Sequence, residues 1–161
     1  VYTKDQTQLR HSFLSYLLLR HSQLKISYSE KLLSPPISSP RESYAFFRSI
    51  WDKQLINVQE QAYILYLNNG NEVICWRCLN TGTGNQSLFD VKLALACGLA
   101  CLATNIIIAH NHPTGTLHAS SADINMTKRL SSAAALMEIK LLDHVIISQK
   151  GYFSFSEHSL L

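Results

Sequence analysis

The chain has 161 residues and a formal net charge of +3, and 47% of its residues are hydrophobic. That length suits one domain with a sizeable core and a leader. The basic residues are scattered, with no Lys/Arg run longer than two, so the phosphate footprint of a dedicated nucleic-acid protein is missing.

Taken in chain order, the pattern predicts a helix near 6–20 and an extended piece at 24–28. Phe13-Leu14-Ser15-Tyr16-Leu17-Leu18-Leu19 has the apolarity of a secretion signal. Asp5 before it, Arg20-His21 after it and the lack of a small-residue cleavage site argue for an amphipathic helix instead. Such a helix would pack on the domain or on a second copy of the chain, and a cytoplasmic location is expected. Ser34-Pro35-Pro36-Ile37-Ser38-Ser39-Pro40 is linker-like punctuation, which divides a leader at 1–38 from a domain at 39–161. Ser39 as cap and Pro40 at the first position start a helix to about residue 53. Strands at 61–67 and 73–79 are joined by Asn68-Asn69-Gly70-Asn71, a strong hairpin signal. A polar loop at 81–87 could border a site. Then come a helix at 89–103, a strand at 105–110, a helix at 121–137, a strand at 139–148 and, beyond Gly151, a last strand at 152–155. Strands first and alternating α/β afterwards predict a mixed sheet between helices, in an α/β domain. No stretch reads as a membrane span, because Thr104-Asn105 divides the apolar run at 93–109.

The four cysteines imitate a zinc spacing, Cys75-x2-Cys78 and Cys97-x3-Cys101. Cys75 and Cys78 fall in a strand, where positions i and i+3 point to opposite faces, with no turn residue between them. Cys97 and Cys101 are i and i+4 on a helix among Ala and Leu. Free buried thiols in a reducing compartment are the expectation.

The chemistry concentrates in His110-Asn111-His112-Pro113, followed by Ser120 and Asp123. The apolar run at 105–109 reads as a buried strand ending at His110. Alternation turns His110 and His112 the same way and Asn111 away. Pro113 ends the strand, and Ser120 opens a helix with Asp123 in its first turn. Two imidazoles and one carboxylate at these offsets can hold one zinc ion and leave a fourth position for water, whose pKa then drops to about 7. Two other readings stand beside this. Ser120-x-x-Asp123 is also a helix cap with a first-turn acid, and His118 is a rival third ligand.

At these residues, and at the later Asp143-His144, the sequence resembles the RadC-like branch of the JAB/MPN+ (JAMM) metalloproteases. The resemblance runs from about Leu24 to Leu161. Asn57-Val58-Gln59-Glu60-Gln61, Thr81-Gly82-Thr83 and Gly151-Tyr152-Phe153-Ser154-Phe155 add to it. It implies an MPN-type α/β fold, one zinc per chain on His110, His112 and Asp123, and Glu60 as the acid/base that moves the water's proton. Glu72 is the competitor for that role, although it reads as the far end of a hairpin. Ser120 would help to hold the oxyanion, and Asp143-His144 would lie behind the site, with Asp143 orienting a ligand imidazole. Asn111 is usual in this branch, where deubiquitinating relatives carry Ser or Thr. Thr114 stands where Ser is commoner.

The function implied is hydrolysis of an amide or isopeptide bond in a peptide or protein substrate. Two alternatives are a DNA-repair accessory module that binds DNA, and a scaffold that keeps the fold without catalysis. An HNH nuclease is disfavoured, because its three residues are spread over a ββα unit rather than adjacent.

Overall fold

Every residue of the strand Gln61–Leu67 (β1) is buried, so the strand needs cover on both faces. The computed structural model, which describes residues 34–81 and 89–161, supplies that cover with helices on either side of one five-stranded sheet. The elements follow as α1 (Pro40–Ile50), β1, β2 (Val73–Thr81), α2 (Val91–Ala100), β3 (Asn105–Asn111), α3 (Ser121–Leu136), β4 (Lys140–Ile147) and β5 (Tyr152–Ser154). The expected helix at 6–20, the extended piece at 24–28 and most of the loop at 81–87 lie outside the described residues.

The sheet order is β2-β1-β3-β4-β5. Only β3 and β4 run parallel, joined by the crossover through α3; the other neighbours are antiparallel. Period-two alternation sorts the side chains. Ala62, Ile64, Tyr66, Ile106 and Ile108 pack against Ala94 and Cys97 of α2 and Leu130 and Ala134 of α3. Tyr63, Leu65, Leu67, Ile107, Ala109, Val145 and Ile147 pack against Phe47 of α1 and Trp51. The fold expected from the sequence, a mixed sheet between helices, is the one observed.

Local chemistry explains the boundaries. Ser39 caps α1 through a reciprocal capping box with Glu42, and Pro40 takes the first position. The helix stops at Ile50, short of the expected 53, because Trp51 turns extended and packs tilted against Tyr63, with ring centroids 4.3 Å apart. Likewise α2 ends before the expected 103, where Leu102 takes the left-handed conformation (φ 54) and Ala103 N donates back to Gly98 O at 2.9 Å. Gly98 is needed for close approach: a Cβ there would meet Ile139 Cδ1 at 3.1 Å and Tyr66 Cε1 at 3.4 Å. In the β1–β2 hairpin, Asn68 Oδ1 accepts from Gly70 N and Glu72 N at 2.9 and 3.0 Å, and Asn71 takes the positive φ.

All four cysteines are free. Cys75 packs with Cys97 and Cys101 on the α2/α3 face, whereas Cys78 packs on the α1 face, so the four do not converge. No helix among the described residues is long and apolar enough to cross a membrane.

Candidate metal centre

Register brings the site residues to one end of the sheet. β3 is buried from Ile106 onward and continues to Asn111, one residue beyond the expected end. His110 shares the α2/α3 face with Ile106 and Ile108, and Asn111 faces α1. The antiparallel pairing of Ala62 with His110 sets residue 60 opposite residue 112 and on the same face as His110. On the other flank, the parallel pairing of Ile108 with His144 sets His144 on that face beside His110.

The turn after Pro113 brings the third element in. Gly115 N donates to His112 O at 2.9 Å, and Gly115 takes a φ of 79°. Thr116 O then lies 2.9 Å from His112 Nδ1, which must donate, since a carbonyl only accepts. Ser120 caps α3: its Oγ accepts from Asp123 N at 3.1 Å. In return Asp123 Oδ2 accepts from Ser120 N at 2.8 Å and from Ser120 Oγ at 2.7 Å. The cap thus aims the Asp123 carboxylate back at the strand end.

His110 Nε2 lies 2.9 Å from His112 Nε2 and 3.4 Å from Asp123 Oδ1, and His112 Nε2 lies 3.7 Å from Asp123 Oδ2. One ligand atom each from Glu60, His110 and His112 also fall within 4.8 Å of one another. Nitrogen and oxygen ligands about 2.0–2.1 Å from a tetrahedral zinc stand about 3.3 Å apart, so the His–His–Asp separations bracket that spacing. With Nδ1 of His112 donating to a carbonyl, its neutral ring presents an Nε2 lone pair. Lone pairs and carboxylate oxygens that converge at such distances fit a cation.

Electrostatics agree with this arrangement. Burial pushes His110 down to about 4, so its ring is neutral at pH 7. The Asp123 contact, working against burial, raises His112, with help from Thr116 O and the charge of Glu60. Burial opposes ionisation of Asp123, yet His112, His110 and the two Ser120 donors together hold it well below the usual carboxylate range. Burial lifts Glu60 above the ordinary glutamate value, partly offset by His112 and reinforced by Asp123, a shift that suits a proton carrier.

The sequence-derived candidates divide accordingly. Glu60, His110, His112 and Asp123 gather together. Ser120 is adjacent, but its proton goes to Asp123 Oδ2. His118 is exposed and outside the gathered group. Glu72 accepts from Asn68 Nδ2 at 2.6 Å at the opposite end of β1, ~20 Å from Glu60 by strand rise. Asp143 does not orient a ligand imidazole: its carboxylate accepts from His144 N, Ser154 Oγ and Ser156 N at 2.8, 2.7 and 2.9 Å. Its place is taken by His144, whose Nε2 lies 2.7 Å from His110 Nδ1. A strand alternates faces, so only one residue of the Asp143-His144 pair can look toward His110.

The sequence patterns assign no role at the site to four contributors, Asn111, Thr127, Phe89 and Phe155. Asn111 is fully buried and clamps the segment that carries Glu60. Its Oδ1 accepts from Gln61 N at 2.6 Å, and its Nδ2 donates to Ile56 O at 2.7 Å and Gln59 O at 2.9 Å. Thr127 touches His144, and Phe89 and Phe155 wall that ring at 5.6 and 4.3 Å. Thr127 stands one helical turn after Asp123, a spacing visible in the sequence; the β3–β4 register that brings His144 to it is not.

The family model for the RadC-like JAB domain matches residues 37–160. The chain belongs to the RadC-like JAB family. Similar curated proteins include a UPF0758 protein of Flavobacterium johnsoniae, 39% identical over 101 residues (63% of this chain, 44% of the relative). UPF0758 protein SSU98_1084 of Streptococcus suis is 35% identical over 136 residues (84% and 54%). UPF0758 protein YeeS of Escherichia coli K12 is 33% identical over 135 residues (81% and 91%). This RadC-like JAB chain spans about half the length of most of these relatives and nearly all of YeeS. Their names state no activity.

Proposed function

We propose that this RadC-like JAB domain is a zinc-dependent hydrolase of amide or isopeptide bonds in a peptide or protein substrate, with one zinc ion per chain. The observation that carries the reading is the convergence of two imidazole nitrogens and the Asp123 carboxylate at zinc-ligand separations, with Glu60 alongside. His110, His112 and Asp123 hold the ion. Held by these residues, zinc would supply Lewis acidity, polarising a scissile carbonyl and lowering the pKa of a water to about 7. Glu60 takes the water's proton and delivers it to the leaving amine, for which a carboxyl lifted by burial is suited. Ser120 positions Asp123; a part in steadying the oxyanion requires its hydroxyl to turn away from Oδ2.

A second reading has its own support. Glu60, His110 and His112 also form a group within ligand reach, so Glu60 rather than Asp123 is the rival third ligand. Zinc content separates the two, measured on protein purified without chelator. Near one equivalent is expected in the wild type and in Glu60→Gln, with loss in Asp123→Ala. Loss in Glu60→Gln with retention in Asp123→Ala exchanges the two roles. Little zinc in a well-folded wild type overturns the hydrolase reading and favours a non-catalytic scaffold. Once a cleavable substrate is in hand, zinc-loaded Glu60→Gln is expected to be inactive.

A further inference from the structure

Behind His110 lies a line of buried polar atoms that the proposed reaction does not use. Thr127 and His144 are both fully buried. Thr127 Oγ1 donates to Asp123 O at 2.7 Å, one turn back along α3. A hydroxyl has one proton, so toward His144 Nδ1, 2.7 Å away, Thr127 can only accept. His144 Nδ1 therefore carries a proton. The ring sits between Phe89 and Phe155, and among the described residues neither nitrogen has a carboxylate partner, so a neutral imidazole fits this pocket. Its Nε2 is then bare and accepts from His110 Nδ1 at 2.7 Å. That leaves His110 Nε2 without a proton, facing His112 Nε2 and Asp123 Oδ1.

We propose that Thr127 and His144 are positioning residues that fix His110 in its Nδ1–H form, so that its Nε2 lone pair is presented to the metal. The relay begins at the backbone carbonyl of Asp123 and ends at His110. It thereby ties the helix that supplies one ligand to the strand that supplies another, through a third element, β4. A carboxylate behind His110 would supply the same orientation with an added negative charge; a neutral imidazole supplies it without one. The second-neighbour partner of a metal-binding histidine sets its tautomer and orientation, and its loss typically weakens metal affinity by about 10–100-fold.

The tautomer half of the proposal stands on the hydrogen bonds alone, whereas the metal half rests on the zinc reading above. The experiment keeps them apart by using chelator-treated protein first. Long-range 1H–15N correlation spectra at pH 7.5 are expected to show His144 and His110 both protonated on Nδ1 and bare on Nε2. In Thr127→Val, which keeps the shape and removes the acceptor, both rings are expected to lose that single form; Thr127→Ser, which restores the hydroxyl, is expected to recover it. Zinc titration with a competing chelator should then give about a 10–100-fold weaker Kd for Thr127→Val and a wild-type Kd for Thr127→Ser. Protonation of His110 on Nε2 in the wild type overturns the proposal, whether or not zinc binds. Equal zinc affinity in wild type and Thr127→Val overturns the link to the metal. Absence of zinc binding in a wild type that shows the expected tautomers overturns the zinc reading and leaves the relay established.

Discussion

His110 is where several constraints meet. It is the last residue but one of a strand whose apolar residues are buried on both sides, its ring is fully enclosed, and both its nitrogens have assigned neighbours. Burial sets a pH dependence whose sign can be worked out. In the metal-free folded protein, His110 is held near 4 against an ordinary value of 6.5, and burial holds His144 well below the same value. As pH falls through 6.5 the unfolded chain takes up these protons first, so stability is lost between about 6.5 and 4. His112, raised by its Asp123 contact, contributes in the opposite sense: its stabilisation is present below 6.5 and lost above. Two enclosed rings outweigh one half-buried ring. Chelator-treated protein is therefore expected to unfold at lower urea concentration at pH 5 than at pH 7.5. A midpoint that is flat or higher at pH 5 contradicts this balance.

The elements hold the site by specific side chains as well as by packing. Asn111 joins β3 to the segment before β1 with three hydrogen bonds to backbone groups. Asn111→Ala leaves the Gln61 N–H and the Ile56 carbonyl buried without these bonds, at ~1–3 kcal/mol each, so a loss of at least ~2 kcal/mol is expected in urea unfolding. The proposed metal ligands lie on the opposite side of the strand, so zinc stoichiometry in the folded variant is expected to stay near one. The helix that bears Asp123 depends on its apolar face. Leu130 is completely buried against the sheet, and Leu130→Ala should cost ~3 kcal/mol by lost burial and the cavity left behind. A cost under ~1 kcal/mol would mean that α3 settles onto the sheet without it.

For the whole molecule, the proposed ligands come from β3, the residue just after it and α3, with Glu60 beside β1, so a bound ion would link elements distant in the chain. Zinc at about 100 times its Kd should add ~2.7 kcal/mol to stability, seen as a rise in melting temperature that chelator reverses and that Asp123→Ala does not show. An unchanged melting temperature in protein that demonstrably binds zinc would mean that the unfolded chain binds it as well. Charge bears on the DNA-accessory alternative. A net +3 spread without clusters gives few phosphate contacts, so DNA affinity is expected to be weak and nearly flat with salt. A steep salt slope would revive that alternative.

Much of this protein is legible in its amino-acid sequence alone. The β-branched run before His110, the parity that turns His110 and His112 together, and the Ser120-to-Asp123 cap are local, set by backbone geometry and hydrogen-bond chemistry within a few residues. The cysteine faces and the hairpin at Asn68–Asn71 follow from the same short-range rules. Tertiary structure decided the rest. Glu60 and His112 are far apart in sequence and meet only because β1 pairs antiparallel with β3 in one register. His144 meets His110 only because β4 lies parallel beside β3, and that register determines that His144, rather than the neighbouring Asp143, reaches the His110 ring. Strand partners and register depend on how helices cover both sheet faces at once, a balance of non-local burial that no window of sequence contains.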